Sequence, residues 1–148
     1  LILAATPKLG IGHLGQLPWP SLKTEMGYFA RVTKRVPSLS SPTSSSSEAQ
    51  SSQRKRINAV IMGRKTWDSI PEKFRPLKGR LNVVVTRDGE NASGLALHGG
   101  STSREPEIAR IFVIGGASLY EAALGLRDTE RVLLTKIHTE YECDTFFP

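Results

Sequence analysis

Two sets of residues in this sequence are of types that do chemistry. The first is a single carboxylate. In Leu22-Lys23-Thr24-Glu25-Met26-Gly27-Tyr28-Phe29, the apolar Leu22, Met26 and Phe29 recur at i, i+4 and i+7, and Glu25 falls inside that helical stripe, one turn from Leu22 and Phe29. A carboxylate drawn onto an apolar face loses hydration, so its pKa rises and it becomes fit to hold or pass a proton. The plain alternative is a capping or dipole role, common for acids in a first helical turn, although Glu25 lies four residues past Ser21 rather than the three of a reciprocal capping box. On this stretch alone both readings stand.

The second set binds anions. An apolar run, Ile57 to Gly63, is followed at once by Arg64-Lys65-Thr66, which puts two cations and a hydroxyl where a helix would begin and where free N–H groups attract phosphate. Thr86-Arg87 repeats the hydroxyl and cation after the next apolar run, and the two together suit a nucleotide with an extra phosphate. Gly115-Gly116 allows close backbone approach, but it is not the GxGxxG fingerprint and carries weight only in company. Arg80 is the remaining cation, of the type that grips a carboxylate at two points. For any one of these residues, simple solvation is the commoner state. His13, His98 and His138 are isolated, no acidic group has metal-ligand spacing, and no nucleophile sits beside a base. What remains is an enzyme whose reactive part is a bound cofactor.

Elements must hold these groups in place. Leu1 to Ala5 reads as a strand, and Thr6 to Gln16, with Gly10, Gly12 and Gly15, as a mobile loop. Pro18 and Pro20 stiffen the entry to a helix over Ser21 to Lys34, with Ser21 placed to cap it. Strands are expected at Ile57 to Gly63, Leu81 to Arg87, Ile111 to Gly116 and Val132 to Ile137, with a weak one at Leu95 to Leu97. Helices are expected at Arg64 to Ile70, stopped by Pro71, and at Ala117 to Leu124, closed by Gly125. Residues 38–56 are Ser-rich and aperiodic, and read as a disordered surface insertion. Strands alternating with helices, with functional types at strand ends, argue an α/β fold with a mainly parallel sheet and ligands at its carboxyl edge. The connection from His98 to Arg110 is barely long enough for a parallel crossover.

At 148 residues with 39% hydrophobic content, residues 1–148 form one domain able to build a core. No apolar run approaches the roughly 18 to 20 residues of a membrane helix, and Leu1 to Ala5 is too short and uncharged for a signal peptide. The absence of an opening Met suggests that the natural start lies upstream. The single cysteine, Cys143, rules out an internal disulfide and points to a reducing, cytoplasmic setting, with mitochondrial or nuclear pools also open. A formal charge of +6 suits an anionic partner. Only Arg54-Lys55-Arg56 is clustered, which argues against a specific nucleic-acid surface.

Taken in order, Gly10-Ile11-Gly12, Leu17-Pro18-Trp19-Pro20, Glu25 with Tyr28-Phe29, Met62-Gly63-Arg64-Lys65-Thr66-Trp67, Ser69-Ile70-Pro71, Pro76-Leu77-Lys78-Gly79-Arg80, Ile114-Gly115-Gly116 and Asp144-Thr145-Phe146-Phe147-Pro148 resemble dihydrofolate reductase of the eukaryotic, fungal type. The resemblance implies a monomer that passes a hydride from NADPH to 7,8-dihydrofolate. It implies that Glu25 binds the pterin and assists protonation of N5 through water, with Thr135 supporting the acid and Leu17 beside the reacting rings. Ala4, Met26, Phe29, Ile70, Leu77, Ile114 and Tyr120 match the walls of the substrate pocket, and Arg80 matches the arginine that holds the substrate's α-carboxylate. Ala4, Ile11, Gly15, Gly63, Arg64, Lys65, Thr66, Thr86, Arg87, Gly115, Gly116, Ser118, Leu119 and Tyr120 match cofactor positions. Gly115-Gly116 matches a cis-linked pair, and Gly10 to Trp19 matches the lid.

Against the family pattern, the chain stops where a further segment would supply the last sheet strands, lacks a helix before Ile111, and starts inside the first strand. A fragment cut at both ends is therefore expected, with a sheet edge uncovered. The alternative enzyme, the pyrimidine-type reductase of riboflavin synthesis, shares the fold and NADPH site but should lack the Leu17 to Pro20 motif, Glu25 and Arg80.

Overall fold

The structure, a computed structural model, describes residues 1–38, 55–87 and 106–148. Its strands are β1 (Ile2–Ala5), β2 (Gly10–Gly12), β3 (Arg56–Gly63), β4 (Arg80–Val85), β5 (Glu107–Val113), β6 (Leu133–Lys136) and β7 (Thr145–Phe146). The helices are α1 (Lys23–Lys34), α2 (Arg64–Ser69) and α3 (Ala117–Leu124), with a 3-10 turn at Glu72–Phe74.

β3 is central, pairing in parallel with β4 on one side and β5 on the other. β1 pairs in parallel with β6, and β2 pairs antiparallel with β7. The α/β, mainly parallel expectation is met. Its strands form separate ladders among the described residues, joined through side chains: Ile2 of β1 packs with Val60 and Met62 of β3 and Phe112 of β5. Side chains alternate across a strand, so the next residues of β1, Leu3 and Ala5, join Tyr120 of α3 in a second cluster. Tyr28, Phe29 and Val32 of α1 and Trp67 of α2 lie against the first cluster. The two faces of β1 thus serve different helices.

Several boundaries differ from the sequence expectation. Ser21 does not cap α1: the N-cap position is Leu22, in extended geometry and with no side-chain cap, so the Ser21 hydroxyl lies one residue too early. Gly10 to Gly12, expected to be mobile, is strand β2. Its partner β7 lies at the other end of the chain, and local sequence carries no signal for such a pairing. β5 begins at Glu107 rather than Ile111, its first residue pairing with Arg56, whose Nε lies 3.3 Å from the Glu107 carboxylate. Arg56, expected to end the Ser-rich insertion, is therefore the first residue of β3. The rest of that insertion, apart from Ser38 and Lys55, lies outside the described residues, as do the weak strand at Leu95 to Leu97 and most of the His98 to Arg110 crossover. No helix among the described residues is long and apolar enough to cross a membrane.

Val60, Met62 and Asn58 of β3 are all at 0% exposure. Replacing Met62 by Ala is expected to lower stability by about 2–5 kcal/mol through the cavity left behind. Urea unfolding checks this: the midpoint should fall at unchanged slope.

Candidate active site

Glu25 sits in the first turn of α1, half-buried. Of the apolar companions the sequence suggested, Phe29 packs on the core and Met26 does not. Met26 is 45% exposed, while Tyr28, Phe29 and Val32, at i+3, i+4 and i+7 from Glu25, pack on the core. Glu25 is thus on the inward face by the helix's own period. Burial pushes its carboxyl above the ordinary value, and among the described residues no side chain hydrogen-bonds to it. Thr135 stands in β6 in register with Ala4 of β1, and the support expected from its hydroxyl is not made as a direct hydrogen bond.

Arg80 opens β4 at the far end of the same helical flank. Its guanidinium lies 5.8 Å from the centroid of Phe29, and burial lowers its pKa below that of an exposed arginine. Nε donates to the Lys78 carbonyl at 3.2 Å, and Nη1 donates to Thr33 Oγ1 at 2.7 Å. Glu25, Phe29 and Thr33 are spaced four residues apart, so about 12 Å of helix axis separates the acid from the residue that holds the guanidinium. Phe29, between these two charges along the helix, packs against the core, as do Ile70 and Leu77.

The cofactor candidates meet at one sheet edge. Gly63 of β3 is in register with Val85 of β4, so Arg64 to Thr66 and Thr86-Arg87 leave their strands side by side. The third strand ends there too: Ile114 N–H donates to the Ile61 carbonyl at 2.9 Å, and Gly63 N–H donates to the Gly115 carbonyl at 2.7 Å. The Gly115–Gly116 peptide is cis, as expected. Gly115 has φ +124°, and a Cβ there would stand 3.2 Å from Thr66 Oγ1 and 3.5 Å from the Tyr120 hydroxyl, so only glycine fits. Arg64 and Lys65 are exposed. Arg64 Nε is shared between both Asp68 carboxylate oxygens at 3.1 Å, which leaves its terminal nitrogens outward. Leu119 Cδ1 would meet a Gly63 Cβ at 3.8 Å, and Ser118 is exposed in the first turn of α3. Tyr120 is a pin: its hydroxyl donates to the Ile2 carbonyl at 3.0 Å, its ring meets Phe147 edge-on, and burial pushes its phenol well up.

The lid candidate is latched. Leu14 (φ 47°) and Gly15 (φ 76°) form a two-residue turn closed by paired His13 and Gln16 backbone bonds of 2.9 Å, the tight hairpin geometry with both central residues left-handed. Leu14 N–H donates to Asp144 Oδ2 at 2.7 Å, and Thr145 Oγ1 donates to Asp144 Oδ1 at 2.7 Å. Beyond the turn Leu17 is exposed, while Trp19, 4% exposed, packs edge-on to Tyr141. Ile11 of β2 lies against the second core cluster. A separate cleft of about 270 Å³ beyond the ends of β1 and β6, lined by Pro7, Leu9, Leu134 and His138 among others, contains none of these candidates.

Sequence reasoning assigned no role to Thr33, Asn58, Asn82 or Asp144. For the two asparagines a signal existed: each is an amide inside an apolar strand run, where a buried polar group needs a partner. Asn82 pairs with both backbone groups of Leu77 and with the Arg80 carbonyl, each at 2.9 Å.

Open parallel α/β sheets take their ligands at the carboxyl ends of their strands. The class defined here is therefore an α/β protein with cations and a glycine pair grouped at that edge and an isolated carboxylate on a neighbouring helix. A family model described as dihydrofolate reductase matches residues 49–148. The chain is 44% identical to dihydrofolate reductase of Pneumocystis carinii, over 100% of this chain and 72% of that protein. It is 40% identical to the mouse dihydrofolate reductase, over 99% and 76% respectively. To the Schizosaccharomyces pombe protein of that name it is 36% identical, over 100% of this chain and 35% of the relative. The chain belongs to the dihydrofolate reductase family.

Hydrogen bonding by Leu14 N–H is the first cause that holds the Asp144 carboxyl below its ordinary pKa of 3.8. A depressed acid keeps its contribution above the unfolded value and loses it as pH falls through the folded one. The protection of Leu14 N–H, its exchange measured against an unstructured amide at the same pH, should therefore fall in acid, below pH 3.8, and be lost at neutral pH in Asp144→Ala.

Proposed function

We propose that this chain reduces 7,8-dihydrofolate to tetrahydrofolate, with the pterin held at Glu25 and the substrate's α-carboxylate at Arg80. One observation carries the residue assignment: a half-buried acid without a hydrogen-bonding side chain and a half-buried guanidinium lie on one flank of α1, with the apolar Phe29 between them. The substrate has the complementary order. Its pterin offers an amino group and a ring N–H to a carboxylate, its aromatic middle suits Phe29, Ile70 and Leu77, and its glutamate end offers a carboxylate to Arg80. Ala4, Leu17, Met26, Ile114 and Tyr120 complete the walls in this reading.

The residues at the sheet edge fit a phosphorylated dinucleotide: Arg64, Lys65 and Thr66 would hold phosphates, Thr86 and Arg87 the extra phosphate, and the space that a Gly115 side chain would fill stays clear for close approach. NADPH, when bound there, supplies the hydride. Ile11, Gly15, Gly63, Gly116, Ser118 and Leu119 border that site. The chain's own part is to bind, orient and manage the proton. Burial raises the Glu25 pKa, so the acid keeps a proton to higher pH than an exposed glutamate and relays one to N5 through water. The latched turn and Leu17 exclude bulk solvent. The single cysteine, Cys143, whose thiol burial pushes up, fits a reducing compartment such as the cytoplasm.

Glu25→Gln should depress turnover strongly and leave NADPH affinity nearly unchanged, as read by steady-state kinetics beside cofactor titration; equal loss of both would sink the division of labour. The same substitution has a stability signature. The folded pKa of Glu25 is raised above 4.5, so a penalty sets in as pH rises past the unfolded value and is complete above the folded one. Glu25→Gln should therefore raise Tm at neutral pH and lose that advantage below pH 4.5. Arg80→Leu should weaken dihydrofolate binding far more than NADPH binding, by about tenfold or more for the loss of a charge-assisted pair; equilibrium titration of both ligands checks it.

A further inference from the structure

We propose that Thr33 is a positioning residue for Arg80, fixing the direction of the guanidinium before substrate arrives, and that Asn58 fixes Thr33 in turn. This rests on the reading that Arg80 holds the substrate's carboxylate.

The geometry is a chain of directed hydrogen bonds. Thr33, at 0% exposure in the last turn of α1, donates its hydroxyl proton to the Phe29 carbonyl at 2.7 Å. A hydroxyl has one proton, so toward any other group Thr33 can only accept. Arg80 Nη1 takes that place at 2.7 Å. The helix is itself held from below. Asn58, also at 0% exposure in β3, donates from Nδ2 to the carbonyls of Thr33 at 2.9 Å and Arg35 at 3.0 Å. These are carbonyls of the helix end, of the kind that lack partners within the helix. Thr33 is therefore tied to the central strand through its own backbone and to the preceding helical turn through its hydroxyl.

Arg80 is held twice, by independent means. Asn82 clamps its backbone through the Arg80 carbonyl and both backbone groups of Leu77, while Thr33 and the Lys78 carbonyl clamp its head. A guanidinium has five N–H donors; with Nε and one Nη1 proton committed, three remain for a ligand. A long side chain fixed in advance loses less freedom on binding than a free one. Thr33 thus serves affinity for the carboxylate end and has no direct bearing on the pterin end, about 12 Å away along the helix axis at Glu25. A hydroxyl bonding back to the i−4 carbonyl is common in helices for purely local reasons, and a local role would affect every substrate alike.

The test compares dihydrofolate with a 7,8-dihydropterin that lacks the benzoylglutamate tail, using the chain and its variants Thr33→Val, Thr33→Ser and Arg80→Leu. Thr33→Val should raise KM for dihydrofolate about tenfold, with the loss in KM rather than kcat, and shift KM for the tail-less pterin less than about twofold. Thr33→Ser, which keeps the hydroxyl, should restore the parental ratio of the two KM values. That ratio does not depend on the fraction of active protein. Where Thr33→Val does not fold, Thr33→Cys, small but a poor acceptor, should give the same contrast. Equal rises for both substrates overturn the proposal, as does an unchanged dihydrofolate KM in Thr33→Val when Arg80→Leu raises it. An unchanged ratio in Arg80→Leu itself overturns the carboxylate role of Arg80, a separate failure.

Discussion

The amide of Gly63 donates to the carbonyl of Gly115 at 2.7 Å, and the architecture of the site follows from that one bond. Gly63 is the last residue of the central strand and stands opposite Val85 of β4, so tying it to Gly115 brings three strand ends level. The cations after β3, the Thr-Arg pair after β4 and the glycine pair after β5 then share an edge. The close packing of Thr66 on Gly115 leaves that corner no slack. Three short segments, distant in sequence, become one surface because a backbone bond needs no side chain to make it.

Charge is used differently at the two ends of α1. At its start, Glu25 is kept half-buried without a hydrogen-bonding side chain, a position that costs folded stability and leaves the acid chemically available. At its end, Thr33 and the Lys78 carbonyl both accept from Arg80, a position that stabilises while it constrains. On α2, Asp68 occupies only the Nε side of Arg64, and exposed pairs of that kind are worth little. A phosphate arriving at the terminal nitrogens meets weak competition.

What could be read in the sequence was what depends on local period and composition. Ile57 to Gly63 is apolar apart from Asn58 because β3 is covered on both faces, and β3 is where it was expected. The inward place of Glu25 was legible from helical spacing, although the stripe was misjudged: Leu22 and Met26 were counted where Tyr28 and Val32 do the packing, since spacing alone does not say which flank turns inward. The Ser21 cap failed by one residue, the usual scale of boundary error. Gly10 to Gly12 looked mobile because its partner strand lies at the opposite end of the chain. The roles of Thr33 and Asn58 were invisible for the same reason: their partners come from other elements. Arg64, Thr66, Thr86, Arg87 and the glycine pair could be listed from their types and expected at one carboxyl edge from their places after parallel strands, and the register bears that edge out.

The latch on the turn also sets a clock. Leu14 and Asp144 are 130 residues apart in the chain. At about 5 to 20 residues per second, a ribosome that has made the turn needs roughly 6 to 26 seconds more before the carboxylate that fastens it exists. Glu25, Thr33, Asn58 and Arg80 are all synthesised earlier and can find one another in that interval. The candidate residues are thus all made before the carboxylate that fastens the turn, and a nascent chain halted before Tyr141 would have every candidate binding and catalytic residue but neither Asp144 nor β7.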